Sequence, residues 1–234
     1  MIQIHNRLNP ELWHDKSLIP EIREKLIKIS AAFYDTLKIK VAPEDVLLTG
    51  SSANYNYTPN SDIDLHILLN FKKINCELDF TKEYFLNKKS LWNNEHEITI
   101  KGKDVELYVQ DVREPHKSTG IYSIMQNKWI VKPSVSNFYL QNVNKNEVIQ
   151  KYNHIKDLID HNLKNNTNYK FLKKIKEKIS KMRKDGLKEG GETDIKNLVF
   201  KELRNNKYID KITDAITQDI DRRLSIETFA SFMS

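Results

Sequence analysis

The chain has 234 residues, 39% hydrophobic and 30% charged, with 38 Lys and Arg against 32 Asp and Glu. The resulting net charge of +6 permits binding to nucleic acid or nucleotide phosphate without demanding it, and the composition reads as soluble and globular, long enough for a real core. No stretch approaches the ~18 apolar residues of a membrane helix, residues 1–9 lack the apolar region of a secretory signal, and the single Cys76 excludes an internal disulfide or a cysteine-based zinc site.

In chain order, residues 20–37 read as a helix. Pro20 suits its first position, and Ile22, Leu26, Ile29, Phe33 and Leu37 recur at steps of three and four. The apolar run 46–49 is a buried strand ending at Gly50. Residues 51–61, rich in Ser, Asn, Tyr and Pro, are a loop or a short helix start, and 63–71 is a second strand covered on both faces. Asp79 or Thr81 caps a helix running to about Asn93. Two β-rich runs, 97–100 and 105–109, flank residues 101–104, which signal a hairpin with Asp104 in its turn. Residues 128–131 form one more short strand. Beyond about Asn146 helical spacing takes over, with helices near 146–163, 168–186, 194–205 and 207–225, punctuated by Asp185-Gly186 and Gly190-Gly191. The expected architecture is α+β: a small mixed sheet flanked by helices over residues 1–140, then an all-helical domain over 141–234.

The chemistry concentrates between Gly50 and His66. Asp62 and Asp64 are two residues apart at a strand start, so both carboxylates project from one face. Two such anions repel unless a cation lies between them, and hard oxygen ligands suit Mg²⁺ or Mn²⁺ held together with substrate phosphates. Gly50, Ser51 and Ser52 at the preceding strand end, with Ser61 beside the acids, form a turn whose backbone N–H groups can cradle a phosphate. In Val105-Glu106-Leu107-Tyr108-Val109, strand parity sets Glu106 on the face opposite the aliphatic residues. A third acid there suits a pair of metals about 4 Å apart.

Leu48-Thr49-Gly50-Ser51, then Asp62-Ile63-Asp64-Leu65, then Val105-Glu106-Leu107 resemble, in order and spacing, the signature of the DNA polymerase β-like nucleotidyltransferase superfamily. The resemblance covers roughly residues 40–112. The stretch 92–111, with Gly120-Ile121-Tyr122-Ser123 and Trp129, looks like uncharacterised nucleotidyltransferases of tailed phages. The resemblance implies transfer of an NMP from an NTP to an acceptor hydroxyl with release of pyrophosphate. Asp62, Asp64 and Glu106 would hold the metal and do the catalysis, with Gly50, Ser51, Ser52 and Ser61 on the nucleotide.

The acceptor stays open. A basic run at Lys173, Lys174, Lys176, Lys178, Lys181, Arg183 and Lys184, followed by Lys201, Arg204 and Lys207, favours RNA such as a tRNA 3′ end, or is simply a solvated helix surface. A protein hydroxyl, as in AMPylating enzymes of toxin–antitoxin or phage–host type, is the second option and a small molecule the third. A non-catalytic nucleotide- or partner-binding module is a different class, against which the intact acid trio argues. His66 shares the Asp64 face and reads as a hydrogen-bonded sheet histidine or an acceptor contact. Asn54 and Tyr57 touch nucleotide or satisfy their loop; Trp92 and Trp129 stack a base or pack the core. The expected setting is the cytoplasm, with no membrane partner.

Overall fold

The computed structural model describes residues 4–74, 77–116, 118–135, 144–164 and 169–225; Cys76 lies outside them. Two compact units divide the chain, Ile2–Tyr139 and Leu140–Ser234.

The first unit opens with a two-strand hairpin, β1 (Trp13–His14) and β2 (Ser17–Leu18), and helix α1 (Pro20–Thr36). Strand β3 (Asp45–Thr49) runs into a single 3₁₀ turn at Ser51–Ala53 and the loop to β4 (Ile63–Leu69). Helix α2 (Leu78–Glu95) crosses over to β5 (Thr99–Ile100) and β6 (Lys103–Asp111), after which come β7 (Ile121–Ser123) and β8 (Lys128–Val131). Among the described residues the main sheet has six strands in the order β5-β6-β4-β3-β7-β8. β4 and β6 are parallel and the other neighbours antiparallel, so the sheet is mixed as the sequence implied.

Period-two burial makes the sheet two-faced. β4 is covered on one face and not on both as its apolar run implied, because among the described residues no helix of this unit packs over the Asp64 side. Ile63, Leu65, Ile67 and Leu69 of β4 and Val105, Leu107 and Val109 of β6 are buried, and they join Leu26 and Phe33 of α1 and Phe85 and Trp92 of α2 in one core. Full burial of such side chains contributes roughly 1.5–3 kcal/mol each. The other parity is left for Asp64 and His66 on β4 and Glu106 and Tyr108 on β6, all half-buried.

Three local readings are revised. Asp104 lies within β6, paired with Thr99, and the hairpin turn is only Lys101-Gly102 with φ of 52° and 71°. Positive φ at both central residues is the two-residue type I′ geometry, which absorbs the reversal in fewer residues than expected. Helix α2 takes Glu77 as its N-cap without a side-chain cap, so Asp79 instead sits in the first turn, where its charge suits the helix dipole. The β1–β2 hairpin and β7 escaped the sequence reading, because strands of two or three residues carry no periodic signal. Trp129 stacks on Trp13 with centroids 4.8 Å apart, and Trp92 packs edge-on to Phe33 at 5.5 Å; both act as packing residues.

The second unit comprises α3 (Lys145–Lys164), α4 (Tyr169–Glu189), α5 (Ile195–Asn205) and α6 (Tyr208–Leu224). Its core includes Ile159, Leu172, Ile175, Ile179, Val199, Leu203 and Ile212. Gly186 does not interrupt α4: it is buried inside the helix, and a Cβ there would come within 2.7 Å of Asp194 Oδ1. The glycine allows α4 to approach the start of α5, whose N-cap is Asp194, and the helix ends at Gly190-Gly191 instead. No helix among the described residues is long and apolar enough to cross a membrane.

Candidate active site

The site is built on the open sheet face, where three strands bring their ends together. Thr49 of β3 pairs with Asp64 of β4, and Asp64 pairs in parallel register with Glu106 of β6. Residues level with each other on adjacent strands share a face, so Asp64 and Glu106 are neighbours on it, and Asp62 precedes β4 with the same parity. Asp104 is one step out along β6 and exposed.

Gly50 ends β3 with φ 69° and ψ −160°, a backbone region essentially reserved for glycine. A Cβ on Gly50 would lie 1.8 Å from Asp64 Oδ2. The Asp64 carboxylate therefore occupies the space a side chain would need, directly over the glycine turn. The turn is held by hydrogen bonds. Asn54, fully buried, donates from Nδ2 to the Gly50 carbonyl at 2.8 Å and to Ser118 Oγ at 3.3 Å. Ser52, also fully buried, donates to the Asp62 carbonyl at 2.6 Å, and Ser51 donates to Ser61 Oγ at 2.9 Å. Ser61 also accepts from the Thr58 amide at 2.9 Å. These hydroxyls tie the strand end of Gly50 to the strand start of Asp62.

The intervening loop is pinned from below. Lys103, with its side chain 4% exposed, donates to the Pro59 carbonyl at 3.1 Å and pairs with Glu11 at 3.3 Å, which satisfies a charge that burial would otherwise penalise. His5 stacks on Tyr57 with ring centroids 3.9 Å apart.

Two features of the site lay beyond sequence reasoning. Lys89 of α2 reaches Glu106 Oε2 at 3.4 Å; no spacing rule links a helix residue to a strand residue 17 positions on. The loop after β6 folds over the face beside His66. His66 Nδ1 lies 2.7 Å from Gln110 Oε1, and burial pushes the His66 pKa down. Glu114 in that loop holds Tyr108, whose pKa is raised by burial first and by Glu114 second.

Among the described residues no group of three or more His, Cys, Asp or Glu side chains is gathered to enclose a metal ion, and Glu106 is turned to Lys89. The donor chemistry nevertheless fits a hard divalent cation: carboxylates on two adjacent strands, level with each other, next to a glycine-only turn.

A family model for the nucleotidyltransferase domain matches residues 26–191. The chain belongs to that family. No curated protein and no solved structure matches it. The match runs from within α1 through the sheet and on to the end of α4, and it agrees with the polymerase β-like superfamily signature in the sequence. This nucleotidyltransferase is thus a nucleotidyl-transferring enzyme, of a family that typically uses divalent metals.

Proposed function

We propose that the protein moves an NMP from an NTP to a hydroxyl at an RNA 3′ end. The observation that carries this reading is the contact between the Gly50 turn and the Asp64 carboxylate, with Glu106 level beside it. A phosphate held by the turn would lie next to the acids. Asp62, Asp64 and Glu106 would hold Mg²⁺ or Mn²⁺, which supplies neutralisation of charge on the phosphates. The acceptor oxygen forms a bond to the α-phosphorus, the bond from that phosphorus to the β-phosphate oxygen breaks, and pyrophosphate leaves. Glu106 is the group we assign to take the hydroxyl proton. The backbone of Gly50 and Ser51 meets the triphosphate, while the hydroxyls of Ser52 and Ser61, engaged with Asp62 and Thr58, act by positioning.

Metal binding is testable without activity. At a Mn²⁺ concentration about 100 times Kd, wild type should gain roughly 3 kcal/mol, a rise in melting temperature of about 5–10 °C. The Asp62→Ala/Asp64→Ala variant should lose nearly all of that shift in differential scanning fluorimetry, and an equal shift in both proteins would remove the acids from the metal site.

The RNA reading draws on α4. Lys174, Lys178, Lys181, Lys184 and Lys188 are exposed and follow one another at steps of three and four, forming one stripe. Two residues of the basic run are otherwise engaged: Lys176 donates to Thr213 at 2.8 Å, and the Arg183 guanidinium lies 4.5 Å from the Phe200 ring centroid. RNA affinity should fall steeply with salt, and Lys174→Glu, Lys178→Glu and Lys181→Glu together should weaken it at least about tenfold and flatten the salt slope. Salt-insensitive binding would count against it. The decisive experiment incubates the protein with each labelled NTP and total RNA or lysate. Label at RNA 3′ ends is expected; label on protein would replace RNA by a protein hydroxyl and leave the transfer chemistry standing.

A further inference from the structure

A small cleft of about 160 Å³ opens on the acid face, between Thr49, His66 and Gln110 on the sheet and Glu114, Pro115 and His116 on the loop after β6. We propose that this cleft receives the terminal ribose of the acceptor and that His66 and His116 together read its 2′-hydroxyl, a proposal that rests on the RNA-acceptor reading above.

A main-chain carbonyl sets the orientation of the whole chain of polar groups. Gln110, 3% exposed, places Nε2 at 3.1 Å from the Glu114 main-chain carbonyl, which can only accept. That fixes the amide: Nε2 donates and Oε1 accepts. Oε1 faces His66 Nδ1 at 2.7 Å, so that nitrogen carries the proton and Nε2 of His66 is left as an acceptor. Gln110 Nε2 also lies 3.2 Å from His116 Nδ1, which must accept, so Nε2 of His116 carries the proton and is a donor. One buried glutamine thus sets two imidazoles in opposite tautomers on the walls of one cleft. A hydroxyl group donates once and accepts, which matches that pair; a deoxy carbon matches neither.

Size and position suit that occupant. At about 160 Å³ the cleft has room for a single ring such as a ribose. His66 is two residues from Asp64, about 7 Å along the strand. The sugar carrying the attacking hydroxyl falls in that range. The wall is also tied to the phosphate turn: Ser118, which lines the cleft, accepts from Asn54, and Asn54 donates to the Gly50 carbonyl.

The test has two arms on the full chain. In the first, short RNAs differing only in a 3′-terminal ribose or 2′-deoxyribose, each with a free 3′-hydroxyl, are compared as acceptors. The ribose end should be preferred about 10-fold or more in kcat/KM, and His116→Phe should shrink the preference toward unity by slowing the ribose end alone. Equal use by wild type, or an undiminished preference in His116→Phe, overturns the proposal. The second arm needs neither transfer nor a variant. The ¹⁵N ring signals of His66 and His116 should report Nδ1–H and Nε2–H respectively, and should shift with cytidine but not with 2′-deoxycytidine. Equal shifts with both nucleosides mean that the base is what binds, and no shift means an unread cleft; either overturns it. If label never reaches RNA yet the rings discriminate cytidine, the RNA reading fails while the cleft's reading of ribose stands.

Discussion

Glu106→Gln should lower turnover by about two to four orders of magnitude while leaving NTP affinity within about threefold, when single-turnover rates and nucleotide titrations are compared with wild type. The substitution preserves size and one hydrogen-bonding oxygen but removes the charge that stands level with Asp64. On the proposed reading, ground-state NTP binding would rely mainly on the Asp62/Asp64 pair and the glycine turn, so the loss should fall on the chemical step, where each ~1.4 kcal/mol is tenfold in rate. It also frees Lys89 from its 3.4 Å pairing; because Glu106 is 43% exposed, that release changes stability little. Asp104→Asn is the matched control. Asp104 is exposed and one step farther out on β6, and its variant should retain activity within a few-fold. Near-normal transfer by Glu106→Gln, or an Asp104→Asn defect as deep, would reassign the third carboxylate.

Gly50→Ala carries the second large effect. The glycine's φ of 69° with ψ of −160° already penalises a side chain by about 1–3 kcal/mol, and the new methyl would lie 1.8 Å from Asp64 Oδ2. The backbone cannot relax readily, because Asn54 holds the Gly50 carbonyl and the β3–β4 pairing fixes Thr49 opposite Asp64. The carboxylate must therefore swing away. The expected outcome is a folded protein with a melting temperature several degrees lower and turnover reduced at least about a thousandfold. Gly102→Ala separates strain from collision. Gly102 has a φ of 71° in the two-residue turn, but a methyl added there would meet nothing within 4 Å, so this variant should lose less stability than Gly50→Ala and keep its activity. If both glycine variants retain turnover alike, the turn does not form part of the site.

Much of the first unit was legible in the residues. The parity that sets Asp62 and Asp64 on one face, and Glu106 apart from Val105 and Leu107, was legible before any partner strand was known. The apolar run 63–71, however, read as a strand covered on both faces, whereas burial alternates along Ile63–Leu69 and leaves Asp64 and His66 on an open face. The long helices announced themselves by the same logic at a period of 3.6: Ile22, Leu26 and Phe33 form a stripe wide enough to read alone. Short pieces did not. β7 is three residues long and is a strand only because β3 and β8 supply its hydrogen bonds. Asp104 read as a turn residue because a Lys-Gly-Lys-Asp string gives no hint that the reversal closes within two residues.

Local spacing pointed to the candidate groups: the glycine turn, the acid pair, the third acid on an outward-facing position, and the basic run now seen on α4. The period of a strand or helix is set by its own backbone, so each of these could be read without knowing any neighbour. What those groups meet was settled by the fold. The level pairing of Asp64 with Glu106 depends on the register between β4 and β6, two strands separated in the chain by the whole of α2. The overlap of Asp64 with the space above Gly50 depends on β3 running antiparallel to β4. The Lys89–Glu106 pair and the His66–Gln110–His116 chain join elements with no common period. A side chain's face is a local property of the backbone, whereas its neighbours across strands are fixed by packing that the whole core selects.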